Sequence, residues 1–170
     1  MSDITQLLVF RLDERRYALS LTVVERVVRA VEVTPLPTAP AIVLGAINVH
    51  GRVLPVLNVR RRFLMPDRDI RPADWFLLAH TARRTVALVI DESEGVLERP
   101  LSEVVMSSQI VAGLEPFPGV VRLDDGLVLI HDLERFLSFD EARAVDVALD
   151  QEADPGDHTG SGFGSRESDA

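Results

Sequence analysis

No cysteine occurs among the 170 residues of this chain. A disulfide framework, a thiolate nucleophile and a cysteine-built zinc site are thereby excluded. Lysine is missing as well, since all 18 basic residues are arginine. Schiff-base chemistry and the lysine of a phosphate-binding loop go with it. Aromatic residues make up 5% of the chain, too few for the stacked platforms that hold single-stranded nucleic acid. A net charge of −9 disfavours a phosphate backbone, so no nucleic-acid partner is expected. Apolar runs stop well short of the roughly 20 residues that cross a bilayer. The opening Met1-Ser2-Asp3-Ile4 carries an acid where a secretory leader carries basic residues. A soluble cytoplasmic protein without membrane insertion is the expectation.

Missing signatures narrow the chemistry further. H-E-x-x-H, G-x-S-x-G, the phosphate-binding loop and the dinucleotide fingerprint do not occur. No two of His50, His80, His131 and His158 stand at metal-ligand spacing. No catalytic residue, metal or cofactor is therefore expected, and the chain does not read as an enzyme. His80 reads as solvated at a strand end, and His131 as filling a half-exposed site. Asp91, Glu92 and Glu94 read as a solvated acidic turn, because oxygen-ligated metals need more converging oxygens than this run offers.

What is present is aliphatic. Hydrophobic residues reach 46%, dominated by Val and Leu, enough to bury a core and suited to sheets. Strands over 6–12 and 17–21 form a hairpin across Asp13-Glu14-Arg15-Arg16. Thr22-Val23-Val24-Glu25 fits a capping box and predicts a helical turn, after which β-branched Val27, Val28, Val31 and Val33 restore a strand. Pro40 and Gly45 bracket a predicted short helix over Ala41–Leu44. Val53–Leu57 reads as a strand with Pro55 near one edge. Asn58 fits the N-cap of a short arginine-rich helix ending near Phe63. Strands follow over 74–79 and 85–90, then an extended stretch over 96–99 and a loop over 113–119. Asp124-Asp125-Gly126 closes a hairpin between 120–123 and 127–130. Asp132 fits the N-cap of a last helix running to Leu149. From Gln151 onward Gly, Ser, Asp, Glu and Pro dominate. They predict a disordered acidic tail over 151–170 behind a folded unit over 1–150.

The stretch Gly45–Arg60 organises the rest. Two apolar runs flank a polar turn, Asn48 to Arg52, whose Asn and Gly suit left-handed backbone angles. A polar turn on a rigid apolar scaffold is where binding residues tend to sit. Arg60, Arg61 and Arg62 form a basic cluster at the start of a helix, where positive charge is mildly unfavourable. That conflict points to a carboxylate-bearing partner.

An internal echo accompanies this stretch. Tyr17–Leu21 matches Val86–Ile90, each after an arginine-bearing turn and an apolar strand. Gly51–Val59 matches Gly126–Leu133 with one deletion: glycine turn, apolar strand, capping Asn or Asp, helix start. Hairpin, then strand plus helix, thus occurs twice and predicts two similar subdomains. Short, regularly spaced strands favour closed barrels without exposed edges. Two small packed β-barrels with an apolar seam are expected.

The run G-A-I-N-V-H-G-R-V-L-P-V-L-N-V-R over 45–60 resembles the G-x-I-N-L-R-G-x-x-x-P-V-x-D-L-R signature of the CheW-like domain family. That family comprises chemotaxis coupling proteins and the regulatory domain of CheA-type kinases. The glycines, Asn48, Pro55 and Arg60 match; His50 replaces the usual Arg and Asn58 the usual Asp. The resemblance extends over roughly 6–140, through Leu8-Val9-Phe10, the Pro37 and Pro40 loop, Val89-Ile90-Asp91-Glu92 and the 126–133 segment. Ser93 stands where the family often has Val.

That resemblance implies a mainly β fold: two small SH3-like five-stranded barrels with short helices and a C-terminal helix. It implies a non-enzymatic adaptor between the cytoplasmic tip of a chemoreceptor and the regulatory domain of a CheA-type histidine kinase. An apolar groove between the barrels would accept the helical receptor tip, and an apolar barrel end would pair with the kinase. The implied contact residues are Val24, Glu25, Arg26, Asn48, His50, Gly51 and Arg60. A His at position 50 would make binding pH-sensitive near neutrality. Arg26 stands where some relatives carry an acid. Two alternatives remain: an adaptor of a non-motility chemosensory pathway, and a small all-β ligand-binding protein or enzyme. Barrels filled by Val and Leu would remove the second.

Overall fold

The computed structural model describes residues 3–106 and 119–153. Eleven strands run in chain order: β1 (Ile4–Leu12), β2 (Arg15–Ser20), β3 (Val24–Arg29), β4 (Val43–Val49), β5 (Arg52–Leu57), β6 (Trp75–His80), β7 (Thr85–Ile90), β8 (Glu92–Pro100), β9 (Val104–Met106), β10 (Gly119–Leu123) and β11 (Gly126–Ile130). Helix α1 (Val59–Arg62) follows β5, and α2 (Phe139–Ala153) ends the described chain.

Two hairpins buried on both faces decide the architecture. In β1–β2, Leu7, Val9 and Ala18 fill one core while Leu8, Phe10, Leu12, Tyr17 and Leu19 enter another. In β6–β7, Phe76, Leu78 and Ala87 fill a third core, and Leu77, Ala79, Val86, Leu88 and Ile90 join the second of these. A strand apolar on both faces must lie between two apolar layers. Each hairpin therefore lines its own subdomain with one face and the common seam with the other.

The strands form a six-stranded sheet, β8-β1-β2-β11-β10-β9, and a five-stranded sheet, β3-β6-β7-β5-β4. Each contains one parallel pair, β11 on β2 and β5 on β7. The echo in the sequence maps onto these pairs: Ile130 lies opposite Ala18 as Val56 lies opposite Ala87. The two halves exchange strands. Hairpin β1–β2 completes a sheet whose other members come from the second half, and hairpin β6–β7 completes one whose other members come from the first.

Both sheets bend round so that their edges approach. Beyond β3 the chain reaches the far edge, where Thr34 bridges Ala46 of β4, and Glu25 of β3 pairs with Arg52 of β5 at 2.6 Å. In the other sheet the edge strand β8 passes through a 3-10 turn, Leu101–Glu103, into β9 at the opposite edge. The six-stranded sheet exceeds the expected five because β9 is a strand, whereas its counterpart on the other sheet is the single Thr34 bridge.

Several local expectations are corrected. Ala41–Leu44 is not a helix: β4 begins at Val43, and Gly45 lies inside it at a register shift. A Cβ on Gly45 would stand 2.2 Å from the Thr34 carbonyl oxygen, so backbone proximity, not a helix end, requires glycine there. The turn before β3 is a 3-10 turn over Leu21–Val23, with no side-chain cap from Ser20, and Glu25 pairs with Arg52 instead of closing a capping box. Glu92–Glu94 belong to β8 rather than a turn, with Gly95 at φ +89 beside the β1–β8 bulge. Pro55 lies within an interior strand, facing Ala46, while β7 pairs only from Val56 onward. Asp132 caps a 3-10 turn, Leu133–Arg135. Helix α2 has its own capping box: the Glu141 N–H donates to Ser138 Oγ and the Ser138 N–H donates to Glu141 Oε1. Most of the loop expected over 113–119, and residues 154–170 of the expected tail, lie outside the described residues, as does His158.

The interiors are packed with apolar, mainly aliphatic, side chains. Ile47, Val49, Leu54, Val56, Phe76, Leu78 and Ala87 fill one subdomain, and Leu7, Val9, Ala18, Val121 and Val128 the other. The ligand-binding barrel is thereby removed. The seam is also filled, by both hairpins together with Leu133, Phe136 and the α2 residues Val145, Ala148 and Leu149. Along this seam, where an apolar groove between the barrels is expected, lies a depression of about 320 Å³ lined by Leu57, Phe136, Leu137 and Ala142.

Candidate functional site

The β4–β5 turn is built from local chemistry. His50 and Gly51 connect the strands with φ of +50° and +83°, and positive φ at both central residues gives the turn whose twist matches a hairpin. Asn48 Oδ1 accepts the Gly51 N–H at 2.9 Å, so the asparagine braces the turn while His50 takes the left-handed conformation. Asn48, His50 and Gly51 are exposed. The Arg52–Glu25 ion pair, at 2.6 Å, brings the start of β3 beside this turn. The structure therefore gathers Val24, Glu25, Arg26, Asn48, His50 and Gly51 at one end of the five-stranded sheet.

Arg60 is separated from them by the length of β5 and faces inward. Its side chain is 7% exposed, with Nη1 donating to Asp13 at 2.8 Å and Nη2 to Asp91 at 2.6 Å. Arg68 joins Asp91 and grips Asp74 through both nitrogens at 2.7 and 2.9 Å. The Asp13 N–H donates to Asp91 Oδ2 at 2.6 Å. This network ties the β1–β2 turn to α1, to the β7–β8 corner and to the 65–74 loop. Burial pushes the Asp91 carboxyl up, but the Asp13 N–H and Arg60 outweigh it and hold the carboxyl below its ordinary value. Asp74 behaves alike: burial is outweighed by Arg68 and the Arg71 N–H.

The carboxylates that the basic cluster called for belong to the chain itself. Arg62 pairs with Glu141 at 2.6 Å, and Arg61 reaches Asp67 at 3.4 Å. Asn58 does cap α1, accepting the Arg61 N–H at 3.1 Å, and its amide also donates to Asp67 Oδ1 at 3.0 Å. Asp91 is not a solvated turn residue but the half-buried centre of the arginine network. His80 is exposed, with Nδ1 3.0 Å from Thr85 Oγ1.

His131 is fully buried rather than half-exposed, at 3%. Its ring lies 5.0 Å from Phe63 and 5.2 Å from Phe136. In the internal echo it occupies the place of Leu57. Desolvation lowers its pKa to about 4; Asp132 opposes this shift and Arg62 adds to it. Among the described residues no group of three or more His, Asp or Glu side chains could hold a metal ion.

Leu64 is the residue that sequence reading missed. It is 93% exposed and holds φ of +57° just beyond α1. No sequence signal marks it, because leucine is a poor left-handed residue and an ordinary apolar one.

The CheW-like domain family model matches residues 6–141. The chain is 26% identical over 146 residues to the chemotaxis protein CheW of Treponema pallidum, covering 82% of this chain and 86% of that one. It is 25% identical over 132 residues to the chemotaxis protein CheW of Thermotoga maritima, covering 78% and 87%. Protein FrzA of Myxococcus xanthus is 28% identical over 96 residues, covering 56% and 60%. Among solved structures, the scaffolding protein TtCheW of Thermoanaerobacter tengcongensis shares the fold with a TM-score of 0.73 at 22% identity, covering 83% of this chain and 96% of that one. With the family model matched along most of its length, the chain belongs to the CheW-like domain family of non-enzymatic adaptors and scaffolds.

Proposed function

We propose that this protein couples the cytoplasmic tips of chemoreceptors to the regulatory domain of a CheA-type histidine kinase. The observation that carries the reading is the braced, exposed His50–Gly51 turn, with Val24, Glu25 and Arg26 beside it, on a fold that matches the CheW-like model from residue 6 to 141. A turn held by Asn48 and an ion pair presents its side chains at low ordering cost, as a scaffold contact requires. Among the described residues no helix is long and apolar enough to cross a membrane; the protein works in the cytoplasm, recruited to receptors by contact.

Co-elution of the purified protein with a cognate kinase regulatory domain, and separately with a receptor-tip fragment, tests the reading. Binding to both is expected. His50→Asn keeps the left-handed turn while removing the ring, and it should weaken one of the two by about tenfold. A folded protein that binds neither partner would sink the proposal. The second reading, an adaptor of a different chemosensory pathway, draws on the similarity to FrzA and on the departures at Arg26, His50 and Asn58. It gains if binding occurs only with kinase and receptor from a non-motility system.

A further inference from the structure

Among the described residues, three non-glycine residues hold positive φ: Asp13 at +53°, His50 at +50° and Leu64 at +57°. Asp and His visit this region several-fold more readily than most residues, whereas a bulky aliphatic side chain there is an outlier. The cause is the end of α1. The Leu64 N–H donates to the Arg61 carbonyl at 3.2 Å and the Met65 N–H to the Arg60 carbonyl at 2.9 Å. These two bonds form a Schellman end, and Leu64 occupies the position that glycine normally fills. An exposed leucine alone is unremarkable in a soluble protein. An exposed leucine held where glycine would be more stable calls for a reason outside the folded chain.

Hydrogen bonds and an ion pair hold the surroundings of Leu64 in place. Leu64, Met65 and Pro66 border a depression of about 390 Å³ together with the Asp13-Glu14-Arg15 turn. Arg60 fixes both sides: its carbonyl holds Met65 and its guanidinium holds Asp13. The site lies at the opposite end of β5 from the His50–Gly51 turn, about 20 Å of strand away. Two partners could therefore bind at once.

We propose that Leu64 is the apolar anchor of a second contact surface, inserting into an apolar socket of a folded partner domain. Resting on the adaptor reading, that partner is the kinase regulatory domain. A helical receptor tip needs a groove, and Leu64 is a knob that protrudes. Its flanks, Glu14 and Arg15, offer one charge of each sign to the mixed rim of a folded domain. Anchors of this kind carry a disproportionate share of binding energy.

The test uses the full chain and three variants, Leu64→Gly, Leu64→Asn and Leu64→Met. Thermal melts and titrations against the kinase domain and the receptor-tip fragment are the readouts. Leu64→Gly should raise Tm by about 2–4 °C, while lowering affinity for the kinase domain at least about tenfold. Leu64→Asn should weaken binding similarly without lowering Tm, and Leu64→Met should retain binding. Affinity for the receptor tip should not change. Unchanged kinase affinity in Leu64→Gly, or a lower Tm, overturns the proposal, as does a loss confined to the receptor tip. If the unsubstituted protein fails to bind the kinase domain, the adaptor reading falls and this inference falls with it.

Discussion

Arg60 matches the family signature, yet its chemistry is internal. Both of its Nη atoms are engaged by carboxylates, and Asp91 is itself only 14% exposed. Removing the guanidinium would leave a half-buried carboxylate with one fewer cation. Losses of roughly 3–5 kcal/mol are typical for that defect; the remaining Arg68 contact places Arg60→Ala near the lower bound, about 3 kcal/mol. Arg60→Lys should recover little, because one ammonium cannot reproduce a two-pronged bridge. Urea midpoints of both variants check this; a loss below the scatter of surface mutants would mean that the network is not stabilising. His131 yields a different residue-scale prediction. Its folded pKa of about 4 lies below the ordinary 6.5, so the unfolded chain binds the proton first as pH falls. Stability is unaffected by this group above 6.5 and declines between 6.5 and about 4 by roughly 3 kcal/mol. Asp91 and Asp74 act at lower pH: their depressed values add stability that is present above the ordinary carboxylate range and lost below it. His131→Leu places in the second half the residue type found at Leu57 in the first. It should flatten the profile between pH 6.5 and 4 while leaving the steeper loss below. An unchanged slope would assign the decline to other groups.

At the scale of elements, what was legible depended on how local the signal was. Asn58 capping α1, the Asp124-Asp125 hairpin and the β7 boundaries follow from turn and capping chemistry within a few residues. The 41–45 segment misleads because Pro40 and Gly45 satisfy a helix rule, while the deciding contact comes from Thr34 across the sheet. Asp132 likewise resembles the cap of a long helix, but Ser138 and Glu141 start α2 after a 3-10 turn. Of the candidate contact residues, Asn48, His50 and Gly51 share the turn that local chemistry suggests, whereas Val24, Glu25 and Arg26, implied by the family resemblance, come beside it through the non-local Glu25–Arg52 pair; Arg60 departs because its partners, Asp13 and Asp91, are remote in sequence. Gly45→Ala tests the non-local account. A Cβ 2.2 Å from a backbone oxygen cannot be absorbed by a side-chain rotation, and φ of +151° at that position adds strain. The Thr34–Ala46 bridge should open, with a loss of about 3 kcal/mol in the upper range of overpacking costs. Protection of the Thr34 and Ala46 amides from hydrogen exchange should fall together. A stable variant with both amides protected would contradict the close approach.

The whole molecule rests on exchange between its halves. The echo between Tyr17–Leu21 and Val86–Ile90, and between the 51–59 and 126–133 segments, was readable because each unit is contiguous. Which unit completes which sheet was not, since pairing across some 110 residues leaves no trace in local composition. The consequence concerns cooperativity. Hairpin β1–β2 buries Leu7, Val9 and Ala18 against β10 and β11, while β6–β7 buries Phe76, Leu78 and Ala87 against β4 and β5. Separated, each half would expose two unpaired apolar surfaces and could not offset its chain entropy. A chain cut after Pro66, in the loop between α1 and β6, should therefore yield two fragments that are each unfolded alone. Mixed in equal amounts, they should regenerate one complex with the secondary structure of the intact protein, and the melting temperature should depend on concentration. Tandem, self-sufficient barrels predict the reverse: two independently folded fragments with no gain on mixing. Dispersed amide spectra from either isolated fragment would favour that arrangement. Broad, unfolded spectra that sharpen only on mixing would show that the two subdomains fold as one unit, each hairpin completing the core of one half and closing the seam with the other.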